Sequence, residues 1–242
     1  MKFKLVTTID RINYFLDNYI SYYKRFFVPD EFYFLVHYKN YDEITQYLLA
    51  QGFSHFEKYT ITSFGEGHNV VNQNRLQKKF IDEGYTVIYA DVDERIFHPN
   101  LREYITNSTN DIIIPTGMMI VQRPSDPPLD KTKNVLEQER GCRTDIRWYS
   151  KVCILKKPFE WHHGRHNKPN RHSINSDIYL IDLGRVCVDF AIENNIKSKN
   201  IYHKVLWRYA EMKRQLIEQE FFNPVRHDLK EIPTHIKSSN LF

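Results

Sequence analysis

Thr86-Val87-Ile88-Tyr89-Ala90-Asp91-Val92-Asp93-Glu94 is the stretch that decides how this chain is read. A short apolar run, β-branched and aromatic, ends abruptly in two carboxylates one residue apart. The apolar part predicts a buried strand. Successive side chains of a strand face opposite ways, so Asp91 and Asp93 share a face wherever the extended geometry continues. Open α/β sheets place their ligands at the carboxyl ends of strands, and a carboxylate pair there holds a divalent cation that also grips substrate phosphates. The plainer reading is a solvated acidic turn after a core strand. Context favours the metal site, because Glu94 adds a third acid and Phe97-His98-Pro99 is expected to close the segment as a turn.

Outward from that stretch, residues 5–9 read as a first strand, and Ile12, Phe15, Leu16, Tyr19, Tyr23, Phe26 and Phe27 recur at helical spacing. Residues 31–38 predict a second strand, 41–51 a helix ended by Gly52, 55–63 a third strand, and 71–83 a helix ended by Gly84. This alternation implies an α/β fold with a mostly parallel central sheet flanked by helices. Past the acids, residues 111–122 read as one long strand interrupted by Gly117, and 123–128, with three prolines, as a break. Residues 149–156 read as a strand, and 177–183 as a strand or the start of a helix. Tyr202, Val205, Leu206, Tyr209, Met212, Leu216 and Ile217 mark an amphipathic helix with Lys204, Arg208, Lys213 and Arg214 on it. The residues after Phe222 read as loosely ordered.

The segment 87–99, with its D-x-D-E, resembles that of GT-A-fold glycosyltransferases, and Lys4 to Asp10, Arg11-Ile12-Asn13, Ser150-Lys151-Val152 and Gly164-Arg165-His166 resemble other parts of family-2-like members. The resemblance implies one GT-A-like domain over residues 1–222, with a nucleotide-binding half at 1–100, an acceptor half at 101–190 and a helical extension at 191–222, followed by a tail at 223–242. It implies Mn²⁺ or Mg²⁺ on a nucleotide-sugar diphosphate, held by Asp91 and Asp93, and a hexose passed to a glycan or lipid-linked acceptor. His166, with His163 second, is the expected third metal ligand, and imidazole beside carboxylates tilts the choice toward Mn²⁺. His162 belongs to the same histidine-rich tract, whose plainer reading is a surface loop.

For the nucleotide, Thr8 and Asp10 stand at the end of the first strand, where a base and ribose dock. A helix N-cap is the competing role for Asp10. Lys39 and Asn40 end the second strand as further candidates. Arg75 and Lys79 lie one turn apart on the helix before the D-x-D strand; they can meet phosphates, and a solvated helix face explains them more simply. An inverting transfer needs a carboxylate base, and Asp145, between Arg143 and Arg147, is the expected one, in competition with Asp126, Glu137 and Glu139 and with a helix-capping or ion-pair role for Asp145 itself.

Bulk properties set limits. At 242 residues, one large α/β domain is expected. A net charge of +4 favours an anionic ligand and is too small for a dedicated nucleic-acid binder. Cys142, Cys153 and Cys187 have no C-x-x-C spacing, so neither a disulfide framework nor a zinc ribbon is expected. No signal-peptide core and no run near the ~20 apolar residues of a membrane span occur, so a cytoplasmic protein is expected, its basic helix either packed against the domain core or, in the alternative, in peripheral contact with a membrane. Two other readings compete. A nucleotidyltransferase uses related metal logic but normally has a glycine-rich loop after its first strand, where this chain has Thr8-Ile9-Asp10-Arg11-Ile12-Asn13. A non-catalytic nucleic-acid or membrane-surface module would rest on the basic helix.

Overall fold

Strand β1 (Lys2–Ile9) is buried almost throughout and lies inside a sheet, with β2 (Phe32–His37) on one side and β4 (Tyr85–Tyr89) on the other. Both pairings are parallel, with Leu5 opposite Phe32 and Val6 opposite Tyr89. Crossover helices cover both faces of a parallel sheet, so side chains on both faces of β1 are buried and it reads as an apolar run rather than an alternation. These features come from a computed structural model, which describes residues 1–60, 67–122, 126–133, 135, 138–143, 150–162, 174–187, 230–231 and 236.

The chain divides into two compact units, Met1–Gly117 with Asp145–Ile181, and Met118–Thr144 with Asp182–Phe242. The first unit is the mixed α/β fold the alternation implies. Its sheet runs β3 (Phe56–Tyr59), β2, β1, β4, β9 (Ile154–Leu155), β6 (Ile112–Ile113). The first four strands are parallel, whereas β9 runs antiparallel to both β4 and β6. Helices α1 (Tyr14–Tyr23), α2 (Tyr41–Ala50) and α3 (Gly67–Asp82) alternate with these strands, and α4 (Leu101–Asn107) follows later.

Opposite strand faces supply two apolar layers. Val6, Leu35, Val87 and Tyr89 pack with Val70, Leu76 and Phe80 of α3. Phe3, on the other face of β1, meets Phe27 edge-on at 5.7 Å, and Phe32 meets Phe53 at 4.8 Å. The abundant aromatics are thus largely core. Gly52 and Gly84 follow α2 and α3 at φ of 85° and 83°, the left-handed position that ends a helix at no steric penalty only for glycine.

In the second unit, β8 (Gly141–Arg143) pairs antiparallel with β7 (Pro115–Val121) through Met119 to Val121, and with β11 (Lys230–Glu231). The fully buried Arg140 is held there by carbonyls, its Nε donating to Val186 O at 2.9 Å and its Nη1 to Glu139 O at 2.6 Å.

Several expectations are corrected. The long strand over 111–122 is two strands, β6 and β7, broken at Ile114, whose N–H and C=O are both taken by Asn175, at 3.3 and 2.8 Å. Gly117 does not interrupt β7; its N–H donates to Ser150 Oγ at 2.8 Å. Of residues 149–156, only Ile154–Leu155 pair as a strand. Residues 177–183 lie in a strand, β10 (Asn175–Arg185), not at a helix start. The tail is not uniformly loose, since β11 pairs with β8 and Ile236 is buried. The expected basic helix lies outside the described residues. Among the described residues, no helix is long and apolar enough to cross a membrane.

Candidate functional site

The chain runs from β1 outward through β2 and β3, then crosses back to place β4 on the other side of β1. The strand order therefore reverses between β1 and β4, and at such a switch point the connections leave the carboxyl ends in opposite directions and open a crevice. The groups at those two ends are Thr8 to Asp10 and Tyr89 to Asp93. They are tied together: the Tyr89 hydroxyl lies 2.6 Å from Thr8 Oγ1 and accepts a 2.6 Å hydrogen bond from Gln73 Nε2 of α3. Gln73 is itself buried, and its Oε1 has no hydrogen-bond partner among the described residues.

Beyond Tyr89 the extended geometry stops. Val92 and Asp93 form a turn, and the chain resumes as β5 (Glu94–Phe97). Glu94 closes this turn twice, its carboxylate accepting the Asp91 N–H at 3.0 Å and its own N–H donating to Asp91 O at 2.8 Å. Its other oxygen accepts from Lys151 Nζ. The Glu94 side chain is 2% exposed, against 37% for Asp91, so the acids divide into a buried structural one and more exposed ones. This corrects the expectation that Glu94 adds a third acid to a metal site. Lys151 Nζ also comes within 3.7 Å of Asp91 Oδ2.

Arg95 fixes the turn from below. It is 1% exposed, and its Nη1 donates to Val92 O at 2.9 Å and Glu94 O at 2.8 Å, while Nη2 reaches Phe15 O of α1 at 3.2 Å. Its guanidinium lies over the rings of Tyr19 and Tyr22, at 5.6 and 6.0 Å. Burial pulls its pKa down, opposed by the surrounding tyrosines and by Asp93, yet guanidinium remains charged in proteins. Neighbouring hydroxyls complete the support, Tyr22 donating to Ile96 O and Tyr23 accepting from Ile96 N, both at 2.8 Å.

The other expected site residues separate. Asp10 is not the cap of α1, because Asn13 Oδ1 accepts the Leu16 N–H at 3.1 Å. Asp10 stays 58% exposed, with Arg11 Nε at 3.6 Å, and its carbonyl accepts from Asn40 Nδ2 at 2.6 Å. Lys39 is exposed, its ammonium 6.0 Å from the Tyr38 ring. Arg75 pairs with Glu57 of β3, which the plainer reading of a solvated face accommodates. Lys79, in the last turn of α3, acts electrostatically on Lys4, near the amino end of β1. Because Gly84 turns α3 tightly into β4, Lys79 stands at the opposite end of the sheet from Asp91, which removes it from the phosphate candidates.

His163, Arg165, His166 and Asp145 lie outside the described residues. The histidine-rich tract nevertheless has a placed start: Asn74 of α3 clamps the Trp161 backbone from both sides, at 2.8 and 2.9 Å, and the Trp161 ring meets Tyr89 edge-on at 5.7 Å. His162, exposed, follows directly. Sequence reasoning missed Lys151, Arg95 and Tyr89. The only signal for Lys151 was its place in Ser150-Lys151-Val152.

Among the described residues no three histidine, cysteine or acidic side chains gather into a cage. Two partly exposed carboxylates on one turn suit a hard cation that keeps several waters and takes remaining ligands from substrate phosphates. The donor set fits Mg²⁺ or Mn²⁺ held in that manner.

No family model and no curated protein matches the chain. Among solved structures it is similar to HddC from Yersinia pseudotuberculosis, at 12% identity and TM-score 0.41, covering 79% of this chain and 97% of that one. It is similar to S. aureus TarS 1–349, at 14% and 0.42, covering 82% of this chain and 64% of that one. A third, described as a glucose-1-phosphate thymidylyltransferase from Bacillus anthracis in complex with a sucrose, is 11% identical with TM-score 0.34, covering 81% and 74%.

Proposed function

We propose that this chain is a metal-dependent glycosyltransferase that moves a hexose from a UDP- or GDP-type nucleotide-diphosphate sugar to a glycan or lipid-linked acceptor. The observation that carries the reading is the turn at Asp91–Asp93: two partly exposed carboxylates at the carboxyl end of β4, at the point where the strand order reverses. The D-x-D-E resemblance, carried by the same acids, supports the reading.

Asp91 and Asp93 would hold Mn²⁺ or Mg²⁺, which when bound neutralises the diphosphate leaving group as a Lewis acid. Glu94 and Arg95 do not touch the reacting groups; they hold the turn rigid, so that the two carboxylates meet the ligand without reorganising. Lys151 supplies a fixed positive charge beside Asp91, placed to share that carboxylate with a cation or to face phosphate oxygens. Thr8 and Asp10, at the end of β1, serve the nucleoside. His166 is the proposed third ligand and Asp145 the proposed base of an inverting reaction. The nucleotidyltransferase alternative has less support, because the β1 to α1 connection has no glycine and is occupied by an asparagine cap.

Asp91→Ala and Asp93→Ala are expected to abolish Mn²⁺-dependent binding of UDP- and GDP-sugars in calorimetry, with the circular dichroism of the folded protein retained. Unchanged binding in both would remove the reading. His166→Ala is expected to weaken Mn²⁺ affinity and turnover together, by about 10–100-fold, the scale of disturbed supporting groups at metal sites. A metal titration like that of the wild type would dismiss His166 alone.

A further inference from the structure

Along α4 runs a cleft of about 570 Å³ to which neither the switch point nor the sequence motifs assign a role. Its volume lies within the ~300–1,000 Å³ of small-molecule sites, but its lining is unlike theirs. Among the described residues it has no aliphatic side chain and no lysine or arginine; asparagines, Ser108, Thr109, two carboxylates and a tyrosine–histidine pair make up its wall. Ser108 to Asn110 precede β6, which runs parallel to β4, so this part of the cleft lies toward the amino end of an edge strand, away from the β4 carboxyl end.

We propose that this cleft binds a segment of neutral glycan, as a site separate from the one at Asp91 and Asp93. Part of the wall is pre-set. The Tyr104 hydroxyl donates to Asp177 Oδ1 at 3.0 Å, and the His98 ring lies 4.5 Å from the Tyr104 ring at 36°. His98 Nδ1 accepts the Asn100 N–H at 3.1 Å, so the neutral ring carries its proton on Nε2, as a donor. The rest is unspent: the side chains of Glu103, Asn107 and Asn110 are exposed and make no hydrogen bond among the described residues. A side-chain amide offers a donor and an acceptor together, the pairing that adjacent sugar hydroxyls require, while an aromatic face suits the C–H surface of a pyranose.

Other ligand classes fit less well. An anion would meet Glu103 and Asp177 with no cationic side chain among the described lining residues. A divalent cation lacks a third ligand among the described residues, and Asp177 is already engaged by Tyr104. An apolar peptide would find no apolar wall.

The test is a ¹⁵N chemical-shift titration of the full chain, following the backbone amides of Glu103 to Asn110, with maltopentaose, mannopentaose and chitopentaose as probes. A saturable shift with at least one is expected, and the Asn107→Ala/Asn110→Ala double variant should raise its Kd about tenfold, the scale of two modest hydrogen bonds. Asp91→Ala should bind that oligosaccharide unchanged, so failure of the transferase reading and failure of this one are separable. No saturable shift with any of the three, or an equal shift produced by CaCl₂ alone, overturns the proposal.

Discussion

The two ends of β1 and β4 handle charge in opposite ways. At the amino end, Lys4 is only 7% exposed; its ammonium donates to Asp30 O at 2.6 Å and lies 5.5 Å from the Tyr85 ring and 6.0 Å from the Phe80 ring. Burial lowers its pKa, and its charge is absorbed by the wall it closes. At the carboxyl end the charges form two layers. Glu94, Arg95 and Lys151 are buried or nearly so and bind backbone or one another, while Asp10 and Asp91 above them remain 58% and 37% exposed. A buried charge is tolerated only when paired and hydrogen-bonded. The lower layer meets that condition and presents the upper acids in a fixed geometry, whereas at the amino end the exposed Asp30 meets the buried Lys4 through its backbone carbonyl.

The strongest way to break this contrast is to unpair the lower layer. Lys151→Met leaves Glu94 buried opposite an apolar side chain, and removing one partner of a buried pair costs about 3–5 kcal/mol. Urea unfolding should show that loss, and Glu94→Gln combined with Lys151→Met should recover a substantial part of it, because the neutral amide needs no counter-charge. A loss below about 1 kcal/mol, the range of exposed pairs, would mean that water reaches Glu94 and that the two layers are one. A smaller effect is expected at the strand ends themselves. Tyr89→Phe removes the hydroxyl shared by Thr8 and Gln73, for about 1–2 kcal/mol including the amide left unsatisfied. Nucleotide-sugar affinity should fall with it only if Thr8 must be held in place, which calorimetry on the folded variant decides.

The upper layer was legible in the sequence, and the lower layer was not. Asp91 and Asp93 announce themselves because an apolar run stops at them, and the parallel strands and their helices follow from local periodicity and from glycines at helix ends. Glu94 pairs with a lysine 57 positions away, and Arg95 reaches the carbonyl of Phe15, 80 positions away. No local pattern encodes such partners, and charged residues are by default read as solvated. Helix α4 escaped for a different reason, since seven residues are too short for helical periodicity to stand out. The turn at Val92–Asp93 matches the plainer reading of an acidic turn after a core strand, and it stood beside a continued strand because nothing in Asp-Val-Asp-Glu shows that the fourth residue's own carboxylate closes it.

The finest probe is a pair of histidines, one at each end. His37 closes β2 at the carboxyl end, and His55 precedes β3 at the amino end. Burial lowers both pKa values below 6.5; at His37 Asp10 opposes the shift and Lys39 adds to it, and at His55 Lys4 adds to it and Asp30 opposes it. Each ring therefore takes up its proton more readily unfolded than folded. Above pH 6.5 neither ring affects stability; as pH falls through 6.5 the unfolded chain protonates first, and stability is lost until the folded ring titrates in turn. His37→Gln and His55→Gln should each flatten the fall of urea-unfolding stability below pH 6.5, by fractions of a kcal/mol for such partly exposed groups. Asp10→Asn removes the opposing charge at the carboxyl end alone, so it should steepen the acid loss in the wild-type background and leave His37→Gln unaffected. A steepening that survives in His37→Gln would mean that Asp10 acts on some other group, and that the exposed acid layer of the carboxyl end does not extend its field to β2.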